Sequence, residues 1–307
     1  MPSSSTKGTI LVLGGGGFLG SHTADALSDA GYKVRIFDRA ASPYLRPDQE
    51  MIVGDIADLE VLKKAATGCE AIYHFAGIAD IEEAGRDAIQ TVQVNIIGTL
   101  NVLEAARAAH VKRFVFASTV YVYSSSGGFY RISKQACENL IEEYQKLYGL
   151  SYTILRYGSL YGRRAGSTNG IYNLIRKAMQ NGEIVYNGDP DAMREYIHVN
   201  DAAALSVEIL DRKYENSHLV LTGPERMRVA DLMRMIAEMM PNKPAFRFGD
   251  KELVAHYTMT PYTYNPRVGH KLVTPHHIDL GQGILDCIAD IYDQADGEKP
   301  QKVAKSS

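Results

Sequence analysis

A glycine-rich turn behind a short apolar run constrains this chain more than any other feature. Thr9-Ile10-Leu11-Val12-Leu13 reads as a buried parallel strand, and Gly14-Gly15-Gly16-Gly17-Phe18-Leu19-Gly20 turns it into a helix reaching Gly31. Without side chains at Gly14 and Gly17, a pyrophosphate can approach the backbone amides at the helix N-terminus. Gly20 lets that helix pack closely on the strand. The spacing is G-x-x-G-x-x-G, one residue longer between its first two glycines than the standard dinucleotide fingerprint. A second strand, Lys33 to Phe37, ends in Asp38, 18 residues beyond Gly20. An acid there accepts hydrogen bonds from the adenosine ribose and repels a 2′-phosphate, which favours NAD over NADP. Arg39, beside it, is the residue able to reach a 2′-phosphate.

The chain then repeats strand, helix, strand. Met51-Ile52-Val53 is a third strand running to Gly54-Asp55-Ile56, where Asp55 either borders the adenine with Ile56 or caps a turn. A helix spans Leu59 to Thr67, and a fourth strand, Ala71 to His74, leaves through Phe75-Ala76-Gly77. The small Ala76 and Gly77 let the strand end approach the cofactor's ribose and phosphates, and His74 reads as a packed imidazole. Asp80 to Asp87 reads as an acidic loop. From about Ala88 to Ala109 the apolar residues recur at helical spacing. Asn95 lies in the interior of that helix and is a candidate for fixing the neighbouring strand end. The fifth strand, Arg113 to Ala117, delivers Ser118 and Thr119 at its carboxyl end. These repeats give an α/β, doubly wound parallel sheet of Rossmann type.

At 307 residues the chain has room for that sheet and a smaller companion. The expected division is a Rossmann domain over 8–165 with a return segment near 194–215. A discontinuous substrate-binding domain takes 166–193 and 216–295, with flexible tails at 1–7 and 296–307. A formal charge of -3 gives no support for nucleic-acid binding. No apolar window is long enough to span a bilayer. The three cysteines, Cys69, Cys137 and Cys287, form no metal-ligand motif and read as reduced thiols of a cytoplasmic protein.

Tyr130-Arg131-Ile132-Ser133-Lys134 places a phenol and an ammonium at i and i+4 on one helix face. A phenol with a pKa near 10 is a poor base at neutral pH, and a neighbouring ammonium lowers that value. Thr119 is placed to bond the same substrate oxygen. Past the sixth strand, Ser151 to Arg156, simple repetition stops. Short strands and helices alternate through 217–221, 229–240, 245–248 and 284–292, and Tyr257 to Thr274 reads as a loop lining the substrate pocket. Arg194 either holds a phosphate or bridges a nearby acid, and His198 reads as structural.

These stretches together resemble the extended short-chain dehydrogenase/reductases of the NAD-dependent epimerase/dehydratase family, the nucleotide-sugar enzymes. The matching pieces are GGGGFLG at 14–20, Asp38, GDI at 54–56, HFAG at 74–77 and GTLNVLEAA at 98–106. They continue through FASTVYVY at 116–123, YRISK at 130–134, LRYGSLYG at 155–162 and REYIHVNDAA at 194–203. The resemblance implies that Gly14, Gly17, Phe18, Leu19, Asp38, Arg39, Asp55, Ile56, Phe75, Ala76, Gly77, Asn95, Ser118, Tyr130, Lys134 and Tyr157 surround NAD. It implies Thr119, Tyr130 and Lys134 as the catalytic set, and Ser159, Arg194 and Arg267 as contacts to a nucleotide-diphosphate sugar. It also implies a homodimer, for which the helices near Asn101 and Gln135–Tyr148 are the candidate four-helix interface.

Departures from the family pattern narrow the reaction. Thr119 and Tyr130 are only eleven residues apart, so the pocket is either more open than in relatives or covered by another segment. Ser159 stands where relatives have asparagine, and Arg163 where they have proline. Val120 and Tyr121 occupy the positions of the Asp-Glu pair that a 4,6-dehydratase needs, and Tyr121 that of a decarboxylase glutamate. The least demanding scheme is a 4-epimerase in which Tyr130 removes the C4 hydroxyl proton while NAD takes and returns the hydride. The alternatives are an NAD(P)-dependent nucleotide-sugar oxidoreductase, a dehydratase or decarboxylase, and, more remotely, a non-catalytic NAD-binding regulator.

Overall fold

The computed structural model describes residues 7–224, 226–249, 256–261 and 285. The elements follow the hydrophobic pattern closely. They are β1 Thr9–Leu13, α1 Phe18–Asp29, β2 Lys33–Asp38, β3 Gln49–Val53, α2 Leu59–Ala66, β4 Cys69–His74, α3 Ile81–Arg86, α4 Ala88–Thr91 and α5 Gly98–Ala108. Next come β5 Arg113–Thr119, α6 Gly128–Tyr148, β6 Tyr152–Tyr157, β7 Ser159–Tyr161, α7 Gly170–Asn181 and β8 Glu183–Tyr186. The described part closes with β9 Met193–His198, α8 Val199–Glu208, β10 Ser217–Leu221, β11 Arg226–Arg228, α9 Val229–Met239 and β12 Ala245–Phe248.

Seven strands form one sheet in the order β10-β6-β5-β4-β1-β2-β3, parallel at every pairing. The order reverses between β1 and β4, and in such sheets a ligand crevice opens beyond the strand ends at that reversal. One apolar layer packs the sheet against α2, α5 and α6 through Leu62, Val102, Leu103 and Ile141. The other packs it against α1 and α8 through Ala24, Leu27 and Ala202. Both faces are covered, which is why the strands read as nearly continuous apolar runs.

A third core lies apart from these, built by Leu174 and Ala178 of α7, Ile184 of β8, and Leu232, Met233 and Ile236 of α9. Beside it run a three-stranded sheet, β11-β9-β7, and a two-stranded one, β12-β8.

Three expectations are corrected. The acidic stretch after Ile78 is helical: the Asp80 carboxylate accepts from the Glu83 amide at 2.7 Å and so caps α3. The helix through Asn95 is interrupted, with a π-helical turn over Val92–Ile97 between α4 and α5. β10, expected in the smaller part, pairs with β6 from Ser217↔Thr153 to Leu221↔Tyr157 and so belongs to the large sheet. Its Leu219 and Leu221 cover the α8 side of that sheet, which a strand-length stretch does not announce. The chain separates into two units, 1–265 and 266–307. Arg267, the expected helix at 284–292 and most of the tyrosine-rich loop lie outside the described residues.

Candidate active site

The carboxyl ends of β1, β4 and β5 make the floor of the site. Leu13 O accepts from both Phe75 N (2.9 Å) and Ala76 N (3.1 Å), and Gly14 N donates to Phe37 O at 2.8 Å. The ends of β1, β2 and β4 are thereby tied before any side chain takes part. Gly14 has φ +76°, and a Cβ on it would lie 2.6 Å from Ala76 N. A Cβ on Gly20 would lie 2.2 Å from Gly14 O. The turn therefore closes only with glycine at both positions, and it leaves a bare backbone concavity where α1 begins. Asp38 completes the rim, its two carboxylate oxygens accepting from Gly16 N (2.9 Å) and Arg39 N (2.7 Å). The Arg39 side chain is exposed. Asp55 is exposed and accepts from Ala57 N at 2.9 Å, the turn-forming alternative for that residue. Ile56 is buried.

Thr119, Tyr130 and Lys134 converge at the end of β5. Thr119 closes the strand, and Tyr130 lies in the first turn of α6, which starts at Gly128 because Gly127 takes φ +97°. Burial pushes the Tyr130 phenol up to about 12. Its hydrogen bond with Thr119 pulls the value down, and Tyr257 adds to the rise. The i, i+4 spacing predicts a phenol lowered by its lysine. Instead the buried Lys134 donates to Ala117 O at 2.7 Å, stands over the Phe116 ring and lies 5.9 Å from the Tyr130 ring centre. Burial holds the ammonium below its ordinary pKa, with Cys137 and Glu138 opposing.

Asn95 holds this set in register. Its Oδ1 accepts from Ile78 N at 2.7 Å, while its Nδ2 donates to Ile78 O at 3.0 Å and to Ser133 Oγ at 2.9 Å. One amide thus ties the exit of β4 to α6 between Tyr130 and Lys134, and its polar atoms are spent there. Gly77, at φ +151°, makes the approach possible, since a Cβ would lie 2.9 Å from Asn95 Oδ1. Ser118 turns behind the site, donating to Glu138 Oε1 at 2.5 Å. Tyr157 points into the layer under α8, its hydroxyl 2.6 Å from Ser206 Oγ, so neither of these groups joins the catalytic cluster. Phe75 stacks on Tyr73 at 6.0 Å. Phe18 and Leu19 open α1 beside the glycine turn.

Ser159 and Arg194 stand on the adjacent strands β7 and β9. The buried Arg194 guanidinium lies 4.4 Å from the centre of the Tyr257 ring, and Tyr186 shares a hydrogen bond with it. Among the described residues it meets these two rings rather than the acid raised as one alternative for it. Residues 256–261 reach this place by pairing with β9: Met193 N donates to Thr258 O at 2.7 Å, and Met193 faces Met259 in a parallel bridge. They bring His256 to Tyr121, whose hydroxyl is 2.7 Å from His256 Nδ1. His256 and Tyr257 thus pack on Tyr121 in the short link after Thr119. The sequence marks Tyr121 only as standing where relatives carry an acid, and it does not mark His256. They lie 135 residues apart, and no local pattern pairs them. His74 and His198 are structural as expected, the first bonded to Thr99 Oγ1 at 3.0 Å and the second capping α8.

A strand–glycine turn–helix with an acid closing β2, and a Tyr-x-x-x-Lys helix against the fifth strand, define a Rossmann-fold enzyme of the short-chain dehydrogenase/reductase class. Comparison with known proteins narrows the class. The family model described as NAD dependent epimerase/dehydratase family matches residues 10–222, and the chain belongs to that family. It is 31% identical over 274 residues to a UDP-glucose 4-epimerase of Rhizobium leguminosarum bv. trifolii, covering 77% of this chain and 83% of that one. It is 30% identical over 246 residues to a UDP-N-acetyl-alpha-D-glucosaminuronate decarboxylase of Bacillus cytotoxicus, covering 71% and 76%. Among solved structures it resembles the UDP-glucose 4-epimerase of Thermotoga maritima with UDP-glucose. That likeness has a TM-score of 0.74 and 27% identity and covers 83% of this chain and 90% of that one. No helix among the described residues is long and apolar enough to cross a membrane.

Proposed function

We propose that this enzyme is a nucleotide-diphosphate-sugar 4-epimerase with NAD as its cofactor. The observation that carries the reading is the composition of the cluster at the end of β5. It contains a threonine hydroxyl, a phenol and an ammonium. The two positions after Thr119, where a dehydratase or decarboxylase needs carboxyl groups, hold a buried Val120 and Tyr121.

The bare glycine concavity at the start of α1 suits a pyrophosphate, and Asp38 at its rim suits a ribose without a 2′-phosphate. Gly14, Gly17, Phe18 and Leu19 would hold the one, and Asp38 the other. When bound, the nicotinamide supplies the carbon that takes the sugar's C4 hydride and returns it. Tyr130 Oη takes the C4 hydroxyl proton and later gives it back to the same oxygen. Thr119 Oγ1 bonds that oxygen and shares the charge developing on it. At about 12 the ligand-free phenol is protonated at neutral pH, so Tyr130 acts as a base only once a cation comes nearer. Lys134 is the one at hand. Arg194 and Ser159 hold the nucleotide-sugar from β9 and β7, within the smaller part built on α7, α9 and the two short sheets.

The same reading includes a homodimer through the outer faces of α5 and α6. Ile89 of α4 and Val92 of the π turn leading into α5, with Phe129 and Ile132 of α6, are exposed, on elements that contact one another.

The first test is to denature freshly purified protein, identify what it releases, and follow UDP-glucose and UDP-galactose by NMR without added cofactor. Interconversion with NAD retained is expected. Accumulation of a released keto product, or a requirement for added NADP, would replace the epimerase with an oxidoreductase. Tyr130→Phe is expected to lower turnover by about 10²–10⁴-fold, the span of general acid–base contributions, while retaining cofactor. Unchanged behaviour in that variant would favour a non-catalytic role.

A further inference from the structure

Tyr121 lies between two groups the proposed reaction uses. Its ring stands edge-on to Tyr130 at 6.3 Å and packs against Tyr257, the ring over Arg194, at 4.6 Å. Its orientation is held from behind, since a Cβ on Gly127 would lie 2.8 Å from Tyr121 Cδ1. Its hydroxyl is held by His256 Nδ1 at 2.7 Å. A phenol, ordinarily titrating near 10, is the better donor of this pair, and an imidazole nitrogen, near 6.5, the better acceptor. Burial keeps Tyr121 protonated, far above its ordinary range. Burial and the Arg194 charge keep His256 neutral at pH 7, with Glu82 and Asp80 opposing. With the imidazole proton on Nε2, the one proton of the phenol is committed to His256 Nδ1, and only lone pairs remain on its oxygen.

We propose that Tyr121, positioned by His256, is an acceptor-only contact that selects a sugar presenting a hydroxyl to it and rejects a hexuronate. A hydroxyl brings the matching proton. An ionised carboxylate brings only acceptors, so its oxygens face those of Tyr121 with no hydrogen between them. The sugar-contacting group is Tyr121, and His256 acts through it. The inference rests on the nucleotide-sugar reading and adds the class of sugar to it.

The test is calorimetric titration of the full-length protein with UDP, UDP-glucose and UDP-glucuronate. Wild type is expected to bind UDP-glucose at least about tenfold more tightly than UDP-glucuronate, a factor equivalent to 1.4 kcal/mol. Tyr121→Phe removes the oxygen and keeps the ring, and it should bring the two sugars within about threefold while UDP binds as before. His256→Phe should do the same, because the phenol is then free to donate. His256→Asn, whose Oδ1 replaces Nδ1 as acceptor, should restore the preference; a purely packing role predicts the reverse order for these two variants. Equal binding of the two sugars by wild type, or a preference unmoved by Tyr121→Phe, overturns this inference and leaves the nucleotide-sugar reading standing. Failure of wild type to bind UDP at all overturns that reading and this inference together.

Discussion

Asn95 illustrates how one side chain can organise a site it does not chemically serve. Its amide makes three bonds, to Ile78 N, Ile78 O and Ser133 Oγ, and a non-polar replacement takes this partner from both the amide and the carbonyl of Ile78. Asn95→Ala is therefore expected to cost about 2–3 kcal/mol in denaturant unfolding. It should also lower kcat more than it raises KM, because the register of α6 against β4 is lost while Arg194 is untouched. Equal stability in the two proteins would mean the clamp contributes nothing. The sequence carried half of this. Asn95 read as an unfavourable helix residue with a job at the strand end, but its partners on α6 lie 38 residues away and share no local signal.

Among the elements, α6 is joined to the sheet by charge as well as by apolar packing. Arg156 of β6 donates to both oxygens of Glu138, at 3.0 and 2.6 Å, and to Tyr123 OH at 2.5 Å; Ser118 adds a bond to the same carboxylate. Glu138 is one turn past Lys134, so the pair holds the helix face that carries the proposed catalytic ammonium. Both partners are largely buried. Removing one leaves the other charge uncompensated, and Glu138→Ala should cost about 3–5 kcal/mol in chemical denaturation. A loss below 1 kcal/mol would show that water replaces the carboxylate. The π turn over Val92–Ile97 belongs to the same joint. Asn95 O, freed from regular helix bonding, accepts from Thr99 Oγ1 at 2.5 Å and Cys137 Sγ at 3.1 Å. Periodicity showed the helix and missed the turn.

For the molecule as a whole, His74 and Tyr130 are two of the groups that couple stability to pH. Burial, with Lys134 nearby, lowers His74 to about 3, whereas the unfolded imidazole titrates near 6.5. The unfolded chain takes up this proton first, so stability is full above 6.5 and falls as the pH drops from 6.5 towards 3. On the alkaline side Tyr130 is raised to about 12 against about 10 unfolded. Its contribution is present below pH 10 and lost between 10 and 12. Thermal melts across pH should show both slopes, with the acid slope shallower in His74→Gln and the alkaline slope shallower in Tyr130→Phe; parallel curves would contradict the assignment. Oligomeric state belongs to this scale too. Ile132, 46% exposed near the start of α6, belongs to the proposed dimer face, and Ile132→Asp should shift sedimentation from dimer to monomer. A wild-type monomer would remove that interface from the account.

The local chemistry of the chain was sufficient for the parallel sheet, the glycine turn, the Asp38 rim and the Tyr130–Lys134 pair. Each rests on contacts within a few residues or on a strand–helix repeat whose period shows in the residues themselves. What needed the folded chain were the contacts across long separations: the Asn95 clamp, the Glu138–Arg156 joint, β10 at the sheet edge and the closure of Tyr121 by His256. It also took the folded chain to reverse the sign of the Tyr130 shift. The i, i+4 spacing promised a neighbouring charge, but the solvation of the phenol and the carbonyl that captures Lys134 are set by how β5 and α6 pack.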